Sequence, residues 1–253
     1  MFYIGIDIGS TAAKVAIFED NSIKDTFVIP TGWSSLETAK KIENILSEKG
    51  IDKENRKIIA TGYGRVSVPY ADKAVTEITC HGKGAAYIYD EDCTVVDIGG
   101  QDTKVITVEK GLITNFTMND KCSAGTGRFM EIMANTLGVD IEELCRLAVN
   151  GKDASISSMC TVFAESEVIS LIGSGRKKED IAFAIVDSIV SKVATICGKH
   201  STSQNYFLTG GLCNCEYIVN SLSEKLNSQV KTRDNARFAG AIGAALLSKN
   251  LKR

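Results

Sequence analysis

Three short segments of this 253-residue chain bring together residues able to handle phosphate and magnesium. They are Asp7-Ile8-Gly9-Ser10-Thr11, Asp97-Ile98-Gly99-Gly100-Gln101-Asp102 and Thr209-Gly210-Gly211. Glycine lets a backbone turn tightly and present its N–H groups to phosphate oxygens. A carboxylate at each of two strand ends, Asp7 and Asp97, can hold Mg²⁺ through water, as that tightly hydrated cation prefers. Lys14 reaches a phosphate if the chain folds back after Ser10. Neither G-x-x-x-x-G-K-[ST] nor G-x-G-x-x-G occurs, which excludes the P-loop and dinucleotide readings. Any one of these turns is as well explained as a plain glycine hairpin; three in order along one chain are not.

Two cysteines, Cys122 and Cys160, form a second constellation. Each is read as standing directly before a helix, where partial positive charge and unpaired N–H groups favour a thiolate able to take a metal. One chain has no C-x-x-C pair, so a complete four-thiolate site is not signalled within it. Two chains, each giving Cys122 and Cys160, supply the four thiolates that a [4Fe–4S] cluster takes. Of the eight cysteines, Cys93, Cys145 and Cys197 sit in apolar or helical runs and read as packing. Cys213-Asn214-Cys215 offers too few ligands for a metal site, and Cys213 reads as filling a small position. His200 reads as a surface residue near a helix end.

The elements that must position these residues follow from periodicity. Phe2–Ile8 and Ala12–Phe18 read as strands joined by a tight turn, with Ser22–Pro30 a third. Leu36, Ile42, Ile45 and Leu46 recur at helical spacing. The pattern then restarts, since IDIGSTAAKVAIF is echoed by VDIGGQDTKVITV. That duplication argues for two similar lobes facing each other. Helices are expected over 126–137, 162–172, 179–197 and 238–247, with a strand over 205–209. The fold class is therefore α/β, with mixed sheets flanked by helices. The first lobe is set at 1–92 plus a returning segment from about 235 to 253, and the second at 93–234.

Composition narrows the function. Net charge is −2 and no basic stripe is visible, against a nucleic-acid partner. No run of 18 uncharged apolar residues is found, against a membrane span, and no secretory leader is visible, so a cytoplasmic location is expected.

The order Asp7–Lys14, Asp97–Lys104, Phe207–Asn214 resembles the phosphate-1, phosphate-2 and adenosine motifs of the acetate kinase/actin/Hsp70 superfamily. That resemblance implies two ribonuclease H-like lobes clamping Mg-ATP. A closer one runs through nearly the whole chain: GIDIGST, ATGYGR, EITCHGKGA, VVDIGGQDTKVI, NDKCSAGTGRF, CTVFAESEVISLI and AGAIGAAL are similar to the activators of 2-hydroxyacyl-CoA dehydratases. The ATPase subunits of benzoyl-CoA reductase belong to the same family. The resemblance implies a homodimer holding one [4Fe–4S] cluster through Cys122 and Cys160 of each subunit. ATP hydrolysis then drives one electron into a client, with reduced ferredoxin or flavodoxin as donor. Asp7 and Asp97 would organise Mg²⁺ and the attacking water, with Gln101 orienting that water. Gly9, Ser10, Thr11, Lys14, Gly99, Gly100, Gln101, Asp102, Gly125, Gly127, Gly210 and Gly211 would line the nucleotide site. Cys80 and His81 would be structural residues at the lobe junction. The alternatives are an activating reductase for a benzoyl-CoA reductase or double-cubane enzyme, a small-molecule kinase of the same fold, or an actin-type regulator.

Overall fold

The computed structural model describes residues 1–157, 160–200 and 204–251. Met159, next to Cys160 in the chain, lies outside the described residues, as do 252 and 253 of the returning C-terminal segment. The chain divides into two compact units. One comprises Met1–Asp92, Ile106–Asn115 and Arg233–Arg253, and the other Cys93–Val105 and Phe116–Thr232.

The first sheet is built from β1 (Phe2–Ile8), β2 (Ala12–Glu19), β3 (Ser22–Pro30), β4 (Arg56–Thr61) and β5 (Lys73–Ala74), in the order β3-β2-β1-β4-β5. β1, β2 and β3 form an antiparallel meander, and β4 joins β1 in parallel. Alternation decides which side chains face which layer. Ile4, Ile6 and Ile8 pack with Ile42 and Leu46 of α1 (Ser35–Glu48). The opposite face carries Ala16 and Phe18 against Ala241, Ile242 and Ala245 of α8 (Ala239–Ser248).

α8 is a small-residue helix because its neighbours come very close. A Cβ on Gly5 would overlap the Ala241 carbonyl oxygen. α2 (Glu77–Tyr89) meets α8 in the same way, Gly84 against the Ala239 carbonyl and Gly243 against that of Cys80.

The second sheet repeats this order. It uses β6 (Cys93–Ile98), β7 (Thr103–Glu109), β8 (Leu112–Asn119), β9 (Asn205–Gly210) and β10 (Gln229–Lys231), arranged β10-β9-β6-β7-β8. β9 again runs parallel to the strand that carries the acid. α3 (Gly127–Leu137), α4 (Ile141–Ala148), α5 (Thr161–Gly173), α6 (Lys178–His200) and α7 (Glu216–Leu226) lie between β8 and β10 in the chain. α6 is long and apolar enough to cross a membrane by length and composition. Yet Ile181, Ile185, Ile189 and Val193 are all buried within its unit, so α6 reads as a core helix.

The predicted helices and strands fall within a few residues of the observed ones. α2, α4 and α7 were not anticipated from periodicity. The tight α2–α8 contact makes a direct prediction. Gly243→Val forces backbone against backbone, which cannot relax by a rotamer change, so stability should fall by about 3 kcal/mol or more. Thermal or urea unfolding of the variant measures this.

Candidate nucleotide and cysteine sites

In the first unit Asp7 sits one residue from the end of β1, opposite Lys14 on β2 and in register with Thr61 on β4. The turn that follows is closed by the Gly9 amide donating to the Ala12 carbonyl at 3.1 Å. The Thr31 hydroxyl donates to the Gly9 carbonyl at 2.8 Å. Asp7 is buried, and among the described residues its Oδ1 finds no hydrogen-bond partner.

Two glycines border that carboxylate without a side chain to fill the space beside it. Gly62 has φ +84°, and a Cβ there would overlap Asp7 Oδ1. A Cβ on Gly240, in the first turn of α8, would lie 2.5 Å from Asp7 Oδ2 and 3.0 Å from His81 Cε1. His81, which is buried, therefore borders the same acid.

The second unit shows the same plan with a different outcome. Asp97 is in register with Thr209 on β9, and the next residue, Gly210, has φ +87°. A Cβ on Gly210 would come within 2.8 Å of Asp97 Oδ1. Here, however, the acid is engaged on both oxygens. The Thr209 hydroxyl donates to Oδ1 at 3.1 Å, and Lys104 Nζ lies 3.3 Å from Oδ2. Lys104 is fully buried and also pairs with Asp102 at 2.6 Å. Lys104 stands in the repeat where Lys14 stands in the first unit, so the duplication marked its position. Its burial did not follow from sequence, because the carboxylate at Asp102 has Ala12 as its counterpart.

The Gly99–Asp102 turn is held from outside. The Gly99 amide donates to the Asp102 carbonyl at 2.9 Å. Gly127 and Arg128, in the first turn of α3, donate their amides to the Gly99 and Gly100 carbonyls, each at 2.8 Å. The Gly127 amide is thus occupied in fixing the turn. Gly125 has φ +84° and leads into Thr126, the residue capping α3. Gln101 is exposed and Gly211 is exposed beyond β9.

Cys160 is the N-cap residue of α5, as expected. Cys122 is not at a helix start: α3 begins at Gly127 with Thr126 as its cap, and Cys122 lies in the preceding turn. The reason is Asn119, whose side-chain amide donates to the carbonyls of Cys122 (2.9 Å) and Ala124 (3.1 Å) and holds that stretch in a non-helical turn. Both cysteines are exposed, and both follow-on residues meet: the Ser123 and Thr161 hydroxyls are 2.7 Å apart. The remaining cysteines separate by environment. Cys93, Cys197 and Cys213 are buried, and burial pushes the Cys197 thiol up to about 12. Cys80 is likewise raised to about 12, chiefly by burial. His200 is hydrogen-bonded to Thr117 at 2.9 Å.

Two copies of a five-stranded mixed sheet, each with an acid at a strand end facing a Thr-Gly on its parallel neighbour, define a nucleotide-binding protein of the actin/Hsp70/ROK fold class. A glucokinase of the ROK family from Streptomyces griseus, 14% identical over 99% of this chain and 100% of its own, shares that fold with a TM-score of 0.61. The chain belongs to the BadF/BadG/BcrA/BcrD ATPase family, whose model matches residues 4–248. It is 43% identical to the (R)-2-hydroxyglutaryl-CoA dehydratase activating ATPase of Acidaminococcus fermentans, over 97% of this chain and 96% of that one. It is also similar to the activator of the 2-hydroxyisocaproyl-CoA dehydratase from Clostridium difficile, solved with bound ADPNP. That match has 37% identity and a TM-score of 0.92, covering 100% of this chain and 99% of the other.

The unequal pairing of the two acids predicts unequal mutational costs. Lys104→Met leaves Asp97 with an uncompensated buried charge and should cost about 3–5 kcal/mol. Lys14→Met, at a half-buried hairpin position, should cost less than about 1 kcal/mol. Denaturant midpoints of the two variants provide the comparison.

Proposed function

We propose that this chain is the ATP-hydrolysing activator of a 2-hydroxyacyl-CoA dehydratase or a related reductase, and that it works as a homodimer holding one [4Fe–4S] cluster. The observation that carries the reading is the pair of exposed cysteines tied to one another through Ser123 and Thr161. Family membership and the duplicated acid turns support the ATPase part. In this reading the lobes are 1–92 with 235–253, and 93–234.

The residues present fit a hydrated magnesium ion. Among the described residues Asp7 offers a buried carboxylate oxygen without a hydrogen-bond partner, bordered by Gly62 and Gly240, which bring no side chain against it. That suits a cation that retains its waters and is held through them. Asp97 acts differently: with Lys104, Asp102 and Thr209 it fixes the second acid turn in place. The turns at Gly9-Ser10-Thr11 and Gly99-Gly100-Gln101 present backbone amides and hydroxyls to the phosphates. Lys14 supplies positive charge there, and Gln101 orients the attacking water, a positioning role of the kind phosphoryl transfer requires. Gly210 and Gly211 leave space for the adenosine.

The donor set also fits a cluster shared between two chains. Cys122 and Cys160 are both exposed, the residues that follow them are hydrogen-bonded, and they number two per chain, half of what the cluster needs. When bound, the cluster supplies a one-electron donor that a reduced ferredoxin or flavodoxin recharges and a client metal centre discharges. Cys160 lies at the positive end of α5, where negative charge is favoured. α5 carries Val162 and Phe163 at 67% and 65% exposure, with Ile169 and Ile172 also exposed. A second copy of the chain covers such a stripe and brings the other two thiolates with it.

Two measurements test this. Anaerobically purified protein should contain about four irons per dimer, with matching acid-labile sulfide. Cys160→Ser should lose the iron while retaining nucleotide binding; loss of both together counts against separate roles, and an iron-free wild type removes the electron-transfer claim. Asp7→Asn should lower ATP turnover by about 100-fold or more with the iron content unchanged.

A further inference from the structure

The two acid turns are held by different donors. In the second unit the Gly99 carbonyl accepts from a backbone amide, that of Gly127, at 2.8 Å. Its counterpart in the repeat, the Gly9 carbonyl, accepts from a side chain, the Thr31 hydroxyl, also at 2.8 Å. The Thr31 amide in turn donates to the Thr11 carbonyl at 3.0 Å. One residue thus holds the first and the last carbonyl of Gly9-Ser10-Thr11. Thr31 is itself fixed. It is buried, it directly follows β3, and its carbonyl accepts from the Thr38 hydroxyl of α1 at 2.6 Å. The same hydroxyl lies 3.1 Å from the Ser34 carbonyl, so Thr38, also buried, ties the start of α1 to Thr31.

From this arrangement we infer that Thr31 is a positioning residue for phosphate binding, acting by setting the direction of the Ser10 and Ala12 amides. The inference rests on the reading, proposed above, that this turn takes nucleotide phosphates. A trans peptide unit is planar, and its C=O and N–H point in opposite directions. No cis bond occurs among the described residues. The Gly9 carbonyl is directed at the Thr31 hydroxyl, so the Ser10 N–H of the same plane points to the opposite side. The Thr11 carbonyl is directed at the Thr31 amide, and the Ala12 N–H points away from it in the same manner.

Glycine at position 9 does little to restrain this plane by itself. Its own amide is committed to the Ala12 carbonyl at 3.1 Å. Without the Thr31 hydroxyl the plane can rotate, and a carbonyl oxygen turned toward the phosphates repels what an amide attracts. In the second unit Gly127 does for the Gly100 amide what Thr31 does for that of Ser10. The repeat reaches one orientation with two donors. Only in the first unit can a side-chain substitution remove the donor.

The test uses the intact, anaerobically purified chain. Affinities for Mg-ATP and for adenosine are measured by competition with a fluorescent nucleotide, together with KM and kcat for ATP. Thr31→Val replaces the hydroxyl by a methyl of similar size. Its ATP affinity should fall about 5- to 10-fold, the worth of one hydrogen bond. Adenosine, which carries no phosphate, should bind as to the wild type. KM should rise with the loss of affinity, while kcat stays within about twofold. Thr31→Ser keeps the hydroxyl and should restore ATP binding. If Thr31→Val does not fold, Thr31→Ala, which adds no atoms, takes its place with the same expectation. Wild-type ATP affinity in a folded variant without the hydroxyl overturns the inference. So does an equal loss of ATP and adenosine binding, which marks a general loosening of the unit. A wild type that binds no Mg-ATP is a separate result: it removes the phosphate reading of the turn, and this inference with it.

Discussion

A carboxylate at the end of a central, fully covered strand has to be approached by something other than a side chain, because every neighbouring position is already packed. Both units meet this constraint in the same way. The parallel neighbour of the acid-bearing strand ends in Thr-Gly, and the glycine takes a positive φ that no side chain would tolerate at that distance. Gly62 stands to Asp7 as Gly210 stands to Asp97. The rest of each sheet follows from placing these two strands side by side. Two further strands lie on one flank and a short parallel strand on the other, and the strand order is identical in the two sheets.

From this common frame the two acids diverge through one substitution of the repeat. Asp102 gives Lys104 a second carboxylate, and Thr209 satisfies the remaining oxygen of Asp97, so a fully buried ammonium is surrounded by opposite charge and hydrogen bonds. Burying ions is costly, and it is tolerated only where such additional bonds are present. Ala12 occupies the corresponding place in the first unit and leaves Lys14 half-buried. Asp7 keeps an oxygen without a hydrogen-bond partner among the described residues. The duplicated motif thus has two outcomes: one acid is internally neutralised, and the other keeps an oxygen without a hydrogen-bond partner among the described residues.

Much of this frame was readable in the residues. The duplication, the three glycine turns and the strands that carry them follow from period-two alternation and turn chemistry. α2 and α7 escaped because their contacts, not their patterns, define them. α2 is rich in small residues for close approach to α8, and α7 opens with a cysteine instead of a recognisable cap. α4 did carry a signal, since Asp140 accepts from the Glu143 amide as a capping aspartate should. Cys122 was misplaced because a cysteine near a helix was taken for one at its start. The side chain that prevents it, Asn119, bonds only to backbone and leaves no periodic trace.

The cysteines show why residue type alone could not sort them. Cys93, Cys197 and Cys213 are packing atoms, and Cys197 is held protonated by the apolar surroundings that make it a good filler. Cys122 and Cys160 are both exposed, and a hydroxyl pair one residue further on links their segments, which are distant in the chain. Cys145 had the apolar helical neighbourhood of a filler, and it is buried like one. What separates it from the exposed pair is its surroundings and not its residue type, because thiol chemistry is set by which charges, amides and solvent face the sulfur.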